Sequence, residues 1–133
     1  MDLAKVTVER LIEAARRGQQ QAYAPYSGFP VGAAVLGTDG RVFTGCNVEN
    51  SSFGLTVCAE RNAVAAALVA GTRPTAVAVV VNGKPVPPCG ACRQVLAEFD
   101  PGMPVLLAST SAPHSQVTSL DALFPRAFHF EKP

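Results

Sequence analysis

Residues Ala76 to Val81 read Ala-Val-Ala-Val-Val-Val. An apolar run of this kind has no polar side to turn to water, so it predicts a strand buried on both faces. A strand so placed needs a layer on each side of its sheet, and the rest of the chain supplies candidates. Val8, Leu11, Ile12 and Ala15 recur at helical spacing, which predicts an amphipathic helix over residues 4–22, closed by Pro25 and Gly28. Val31 to Leu36 and Arg41 to Val48 flank Thr38-Asp39-Gly40, the chemistry of a tight hairpin turn. Cys58 to Ala70 is an Ala-rich helix with Gly71 at its C-terminal end, apolar on every side. Cover from the sheet on one face and from a second subunit on the other would satisfy it. A helix over Cys89 to Phe99, a strand over Val105 to Ala108 and a short Ser-capped helix over Ser119 to Phe124 complete the order. Ser109 to Ser119 is rich in Ser, Thr and Pro and reads as a flexible loop. Helix, hairpin, helix, strand, helix, strand implies a single layered α/β domain with a central mixed sheet.

Composition narrows the function classes. The 133 residues carry 11 Lys plus Arg against 10 Asp plus Glu, a formal net charge of +1, with the basic residues scattered. Phosphate neutralisation needs a concentrated basic face, so nucleic acid is not the expected partner. The start of the chain, Met1-Asp2-Leu3-Ala4-Lys5, lacks the apolar stretch of a signal peptide, and no segment reaches the ~18 apolar residues of a membrane helix. A soluble cytoplasmic protein is the expectation. In a reducing compartment its four cysteines point to metal ligation, catalysis or packing rather than disulfides.

The cysteine spacing points to metal. Cys58-Ala59-Glu60 and Pro88-Cys89-Gly90-Ala91-Cys92 both lie where a loop enters a predicted helix. Cys89 and Cys92, three apart on a first turn, face one ion, and Cys58 completes a three-thiolate set. Zinc prefers tetrahedral N and S ligands, and a catalytic site leaves one position for water. Glu60 then faces that position as a proton carrier. Three thiolates blunt the acidity of the water, and two helix N-termini, each worth about half a positive charge, compensate. Arg61 or Arg93 can also donate to thiolate sulfur. A closed four-thiolate structural site with Cys46 as the fourth ligand is the competing reading. Against it, Cys46 lies within a strand and reads as core filler. His114 and His129 read as surface or interface residues, because the metal set is complete without them. Asn47 and Glu49, two apart at a strand end, share a face, and an amide with a carboxylate can exchange hydrogen bonds with sugar hydroxyls. A carboxylate there would also repel a phosphate on a neighbouring hydroxyl.

The chain resembles the cytidine deaminases, specifically the small homotetrameric zinc-dependent nucleoside type. The resemblance rests on Tyr23-Ala24-Pro25-Tyr26-Ser27, Phe29 with Val31-Gly32-Ala33-Ala34, Gly45-Cys46-Asn47-Val48-Glu49-Asn50, Cys58-Ala59-Glu60-Arg61 and Pro88-Cys89-Gly90-Ala91-Cys92-Arg93. It implies a three-layer α/β/α sandwich and one Zn2+ per subunit on Cys58, Cys89 and Cys92. It further implies that Glu60 shuttles protons, Asn47 and Glu49 hold the ribose, Phe29 packs on the pyrimidine, and the Ala59 backbone helps to read the base. Phe128 is implied to reach a neighbouring subunit's site. Phe53 stands where the family often carries Tyr, so the hydroxyl that any hydrogen bond across the subunit interface would use is missing. The implied reaction is hydrolysis of cytidine or deoxycytidine to the uracil nucleoside and ammonia, in pyrimidine salvage. The sequence alone does not separate the two sugars. A blasticidin S deaminase shares the zinc motifs, although Glu49 and the Phe29 context favour cytidine. A tRNA adenosine deaminase would carry His at the first ligand and a more basic face. A non-enzymatic zinc module would need four protein ligands.

Overall fold

The computed structural model describes residues 3–111 and 115–132. Its elements are α1 (Lys5–Gln19), β1 (Val31–Gly37), β2 (Val42–Cys46), a 3-10 turn (Phe53–Leu55), α2 (Ala59–Val69), β3 (Pro74–Val81), α3 (Gly90–Ala97), β4 (Pro104–Ser109), β5 (Ser115–Ser119) and α4 (Leu120–Leu123). The strands form one sheet in the order β2-β1-β3-β4-β5. Only β3 and β4 run parallel; the other neighbours are antiparallel. The sheet is mixed, as expected.

The central strand explains the layering. Along β3, Val77, Val79 and Val81 enter one core with Ala63, Val64 and Ala67 of α2 and Leu96 of α3. Ala76, Ala78 and Val80 enter the other core with Leu11, Ala14 and Ala15 of α1. Both faces are therefore dry, and the architecture is the three-layer α/β/α sandwich. The α1 side is lined by small residues, which lets the helix press onto the sheet. At Gly32 of β1 a Cβ would stand 1.8 Å from the Ala15 carbonyl oxygen, so no larger residue fits there.

Two expectations need correction. The polar stretch after β4 is not a flexible loop throughout: Ser115–Ser119 is β5, paired along β4 with Leu106 opposite Val117. It is an edge strand with three of its five residues exposed, so it has no apolar pattern to betray it. His114 lies outside the described residues. Cys46, expected in the core, is half-buried at the end of edge strand β2, and its thiol donates to the Gln21 carbonyl at 3.6 Å.

Outside the sheet, Tyr23 pairs with Val48 and Val48 with Val57. The bonds are Tyr23 N–H to Asn47 O, Glu49 N–H to Tyr23 O, and a reciprocal pair between Val48 and Val57, each 2.9–3.0 Å. This small ladder joins three segments that all reach the same cavity.

Candidate active site

The N-terminal ends of α2 and α3 carry the metal-type residues. Helices ordinarily begin on Ser, Thr, Asp or Asn, whose oxygen caps a free N–H. Here the cap positions are Cys58 and Cys89, and neither side chain makes a capping bond. Their sulfurs are left free for other work. Cys58, Cys89 and Cys92 place their Sγ atoms within 4.8 Å of one another, with Cys58 and Cys89 at 3.8 Å. Tetrahedral zinc with bonds of about 2.3 Å sets sulfurs ~3.8 Å apart, so the donor set fits zinc in both chemistry and span. Among the described residues no fourth His, Cys, Asp or Glu joins the cluster, and Cys46 is not a member.

The electrostatics match a thiolate site. Donation from the Cys92 thiol, against the opposing effect of burial, brings the Cys58 thiol down to about 5; bonds from Arg61 and Cys89 add to it. Cys92 is pushed the other way, because it is the donor to Cys58 and is itself buried. Arg61 Nη2 stands 3.5 Å from the Cys58 sulfur, and that bond holds the guanidinium more firmly protonated than usual. Its Nε is buried with no partner among the described residues. Arg93 does not share this role. Its Nε donates to the Pro88 carbonyl at 2.7 Å and its Nη1 to the Leu123 carbonyl at 2.6 Å, so it locks the loop ahead of Cys89 onto the C-terminal segment.

Glu60 occupies the first turn of α2 and is only 5% exposed. Burial pushes its carboxyl up to about 7, opposed by its own backbone N–H; the negative Cys58 sulfur raises it further and Arg61 lowers it. A cavity of about 270 Å³ opens onto Glu60, Cys58, Cys89 and Ala59, and its far wall is Phe29, Asn47, Glu49 and Ser27. Six of the sequence-expected residues thus meet in one cavity with Glu60, and Cys92 lies behind it. Phe128 does not: it is 69% exposed, and its carbonyl accepts from Gln94 Nε2 at 3.0 Å. Phe53 is exposed and meets Tyr26 edge-on at 5.7 Å between centroids. His129 is exposed and outside the cluster.

The far wall is braced by bonds among its own residues and by Gln19 and Ser27, to which the sequence reading assigns no role. Asn47 is buried, and both ends of its amide are engaged: Oδ1 accepts from Val31 N–H at 2.9 Å and Nδ2 donates to the Phe29 carbonyl at 3.0 Å. Gln19 at the end of α1 donates to the Pro30 carbonyl at 3.3 Å and to Asn82 Oδ1 at 3.1 Å. Ser27 Oγ accepts from Phe29 N–H at 3.0 Å and donates to Glu49 Oε2. Glu49 Oε1 takes the N–H groups of Tyr26 and Ser27 at 2.9 and 3.1 Å. The Ser27 hydroxyl is the main reason the Glu49 carboxyl sits below the usual range; slight burial opposes it, and the two N–H groups add to it. Gln19 gave no sequence signal, being separated by 11 and 63 positions from what it holds.

A profile of the family described as "Cytidine and deoxycytidylate deaminase zinc-binding region" matches residues 5–108. Over 127 residues the chain is 49% identical to a cytidine deaminase of Sporosarcina psychrophila, covering 93% of each. It is 46% identical over 125 residues to a cytidine deaminase of Halalkalibacterium halodurans, covering 92% of this chain and 95% of that one. Among solved structures, cytidine deaminase from Burkholderia pseudomallei superposes with a TM-score of 0.84 at 51% identity, over 90% of this chain and 98% of that one. That from Mycobacterium tuberculosis gives 0.76 at 43%, over 92% and 97%.

Proposed function

Because this chain belongs to the cytidine and deoxycytidylate deaminase family, we propose that it hydrolyses cytidine and deoxycytidine to uridine and deoxyuridine with release of ammonia. The observation that carries this reading is one cavity holding a three-sulfur metal cluster, a buried carboxyl and a sugar-and-base wall together. Cys58, Cys89 and Cys92 would hold zinc, whose chemistry, when bound, would be to activate a water near C4 of the pyrimidine. Glu60 takes a proton from the attacking water and passes it to N3, then carries the proton of the new C4 hydroxyl to the amine, which leaves as ammonia while the C4 carbonyl forms. A carboxyl brought to about 7 by burial gives and takes protons near neutral pH with little driving force wasted, which is what general acid–base work requires. Arg61 steadies the negative sulfur of Cys58.

Binding falls to the far wall. Phe29 packs on the base, the backbone at Ala59 faces its polar edge, and Asn47 and Glu49 take the sugar hydroxyls. A carboxylate at the sugar disfavours a 3′ phosphate, so free nucleosides are the substrates and nucleic acid is not. We read residues 1–133 as a single catalytic domain that works as a homotetramer, with Phe128 entering a neighbouring copy's site. The exposure of Phe53, Leu55, Val69 and Phe128 in the single chain supports an assembly. Four free cysteines suit a reducing compartment, so we read the enzyme as cytoplasmic and serving pyrimidine salvage. Ammonia release from cytidine, measured with and without a zinc chelator and again in Glu60→Gln, tests the whole. The chelator should abolish it, and Glu60→Gln should keep zinc while losing about 10²–10⁴ in turnover. Near wild-type turnover in Glu60→Gln would sink the assignment.

A further inference from the structure

Ser27 belongs to neither the metal cluster nor the set of expected substrate contacts, yet it bridges the two halves of the binding wall. Its hydroxyl has one proton and two lone pairs. The proton goes to Glu49 Oε2, and one lone pair takes the Phe29 N–H at 3.0 Å. Its own N–H goes to the other oxygen of the same carboxylate at 3.1 Å. Gly28, between Ser27 and Phe29, has φ +66, a left-handed turn that folds Phe29 back so that its N–H can reach Oγ. Resting on the functional reading above, we propose that Ser27 is a positioning residue that fixes the sugar-side carboxylate and the base-side aromatic ring relative to each other.

The chemistry supports this in two ways. An unrestrained Glu side chain in irregular chain beyond a strand samples several rotamers, and ordering it on substrate arrival costs free energy that appears as weaker binding. Three donors on two oxygens settle the carboxylate beforehand while leaving lone pairs for sugar hydroxyls. Second, Phe29 is 41% exposed and joins neither core cluster, so its backbone is the main constraint on where its ring stands. That backbone is held by Ser27 at the N–H and by Asn47 at the carbonyl. Asn47 is also placed at the sugar, whereas Ser27 is the link that joins Glu49 to Phe29 without being assigned a substrate contact of its own.

The test compares Ser27→Ala and Ser27→Thr with wild type in steady-state cytidine turnover, alongside zinc content and thermal melting. Loss of a hydrogen bond to a charged group predicts that Ser27→Ala raises KM by about tenfold, with kcat within about twofold of wild type. Ser27→Thr keeps the hydroxyl and should restore KM to within about threefold. Zinc content should be unchanged in both, because the cluster is untouched. The titratable groups sharing the cavity with Glu49 are Cys58, Cys89 and Glu60, so the assay is run at one pH. The proposal is overturned if Ser27→Ala binds cytidine as wild type does, if it loses kcat rather than KM, or if Ser27→Thr is no better than Ser27→Ala. Failure of the functional reading is a separate result: wild-type protein loaded with zinc would then release no ammonia from cytidine.

Discussion

A single methyl group added at Gly45 should disarm the metal site without touching a metal ligand. Gly45 lies in β2 directly beneath the first turn of α2. A Cβ there would stand 2.4 Å from the Ala59 carbonyl oxygen and 2.5 Å from the Ala63 nitrogen. Both are backbone atoms and cannot rotate away. Ordinary contact begins at 3.4 Å, so the helix start must retreat by about 1 Å. Ala59 follows Cys58 directly, so the retreat carries Cys58 away from Cys89 and Cys92 and swings Glu60 with it. Overpacking against backbone belongs at the upper end of the usual range, about 3 kcal/mol, a fall in Tm of ~10 °C for a chain of this size. A displacement of that size in a reacting group costs on the order of 10² in rate. Gly45→Ala should therefore melt earlier, bind zinc more weakly in chelator competition, and lose about 100-fold in kcat/KM. Gly102→Ala, where a Cβ would meet only side-chain oxygens at 3.8 and 4.0 Å, is the control and should match wild type. Wild-type zinc affinity and turnover in Gly45→Ala would refute the claim that the close approach of strand and helix sets the cluster.

Other expectations are smaller in scope. Arg61→Ala should weaken zinc binding by about 10–100-fold, as loss of a partner to a ligand generally does; unchanged affinity in chelator titration would contradict the role given to its bond with Cys58. Glu49→Gln should raise KM for cytidine and leave kcat nearly unchanged. Because the Glu49 carboxyl is lowered in the folded protein, its tether is fully present above the unfolded carboxyl pKa and is lost only as pH falls through the lower folded value. The ratio of mutant to wild-type KM should thus stay constant from pH ~8 to about 5, and a ratio collapsing toward one near pH ~6 would count against the tether. Light scattering at micromolar protein should give a mass well above the 13.8 kDa of one chain; a monomer would remove the basis for shared sites.

Much of this was legible because the informative residues are local. The β3 run, the Asp-Gly turn and the two Cys-bearing helix starts each declare themselves within a few positions. What stayed hidden depends on long separations or on edges. The polar sequence of β5 looks like a loop because an edge strand is held by its backbone rather than by an apolar face. Arg61 and Arg93 have equal claims on a thiolate from sequence, and only the packing of α3 against the C-terminal segment turns Arg93 toward Pro88 and Leu123. The bonds that hold the Phe29 carbonyl to Asn47 and the Pro30 carbonyl to Gln19 span 18 and 11 positions, and no spacing rule reports them.

The small ladder of Tyr23, Val48 and Val57 ties the base-and-sugar turn to the segment leading into Cys58. Its strands are single bridges outside the main sheet, and about half the surface of Tyr23 and of Val48 is open to solvent. Such a unit opens at far lower free energy than the core. When it opens, the wall that grips the nucleoside and the residue that anchors the ion are released together. Amide protons on these three segments would then exchange as one group ahead of the sheet, and the enzyme would be inactivated by a local event while most of its fold still stands.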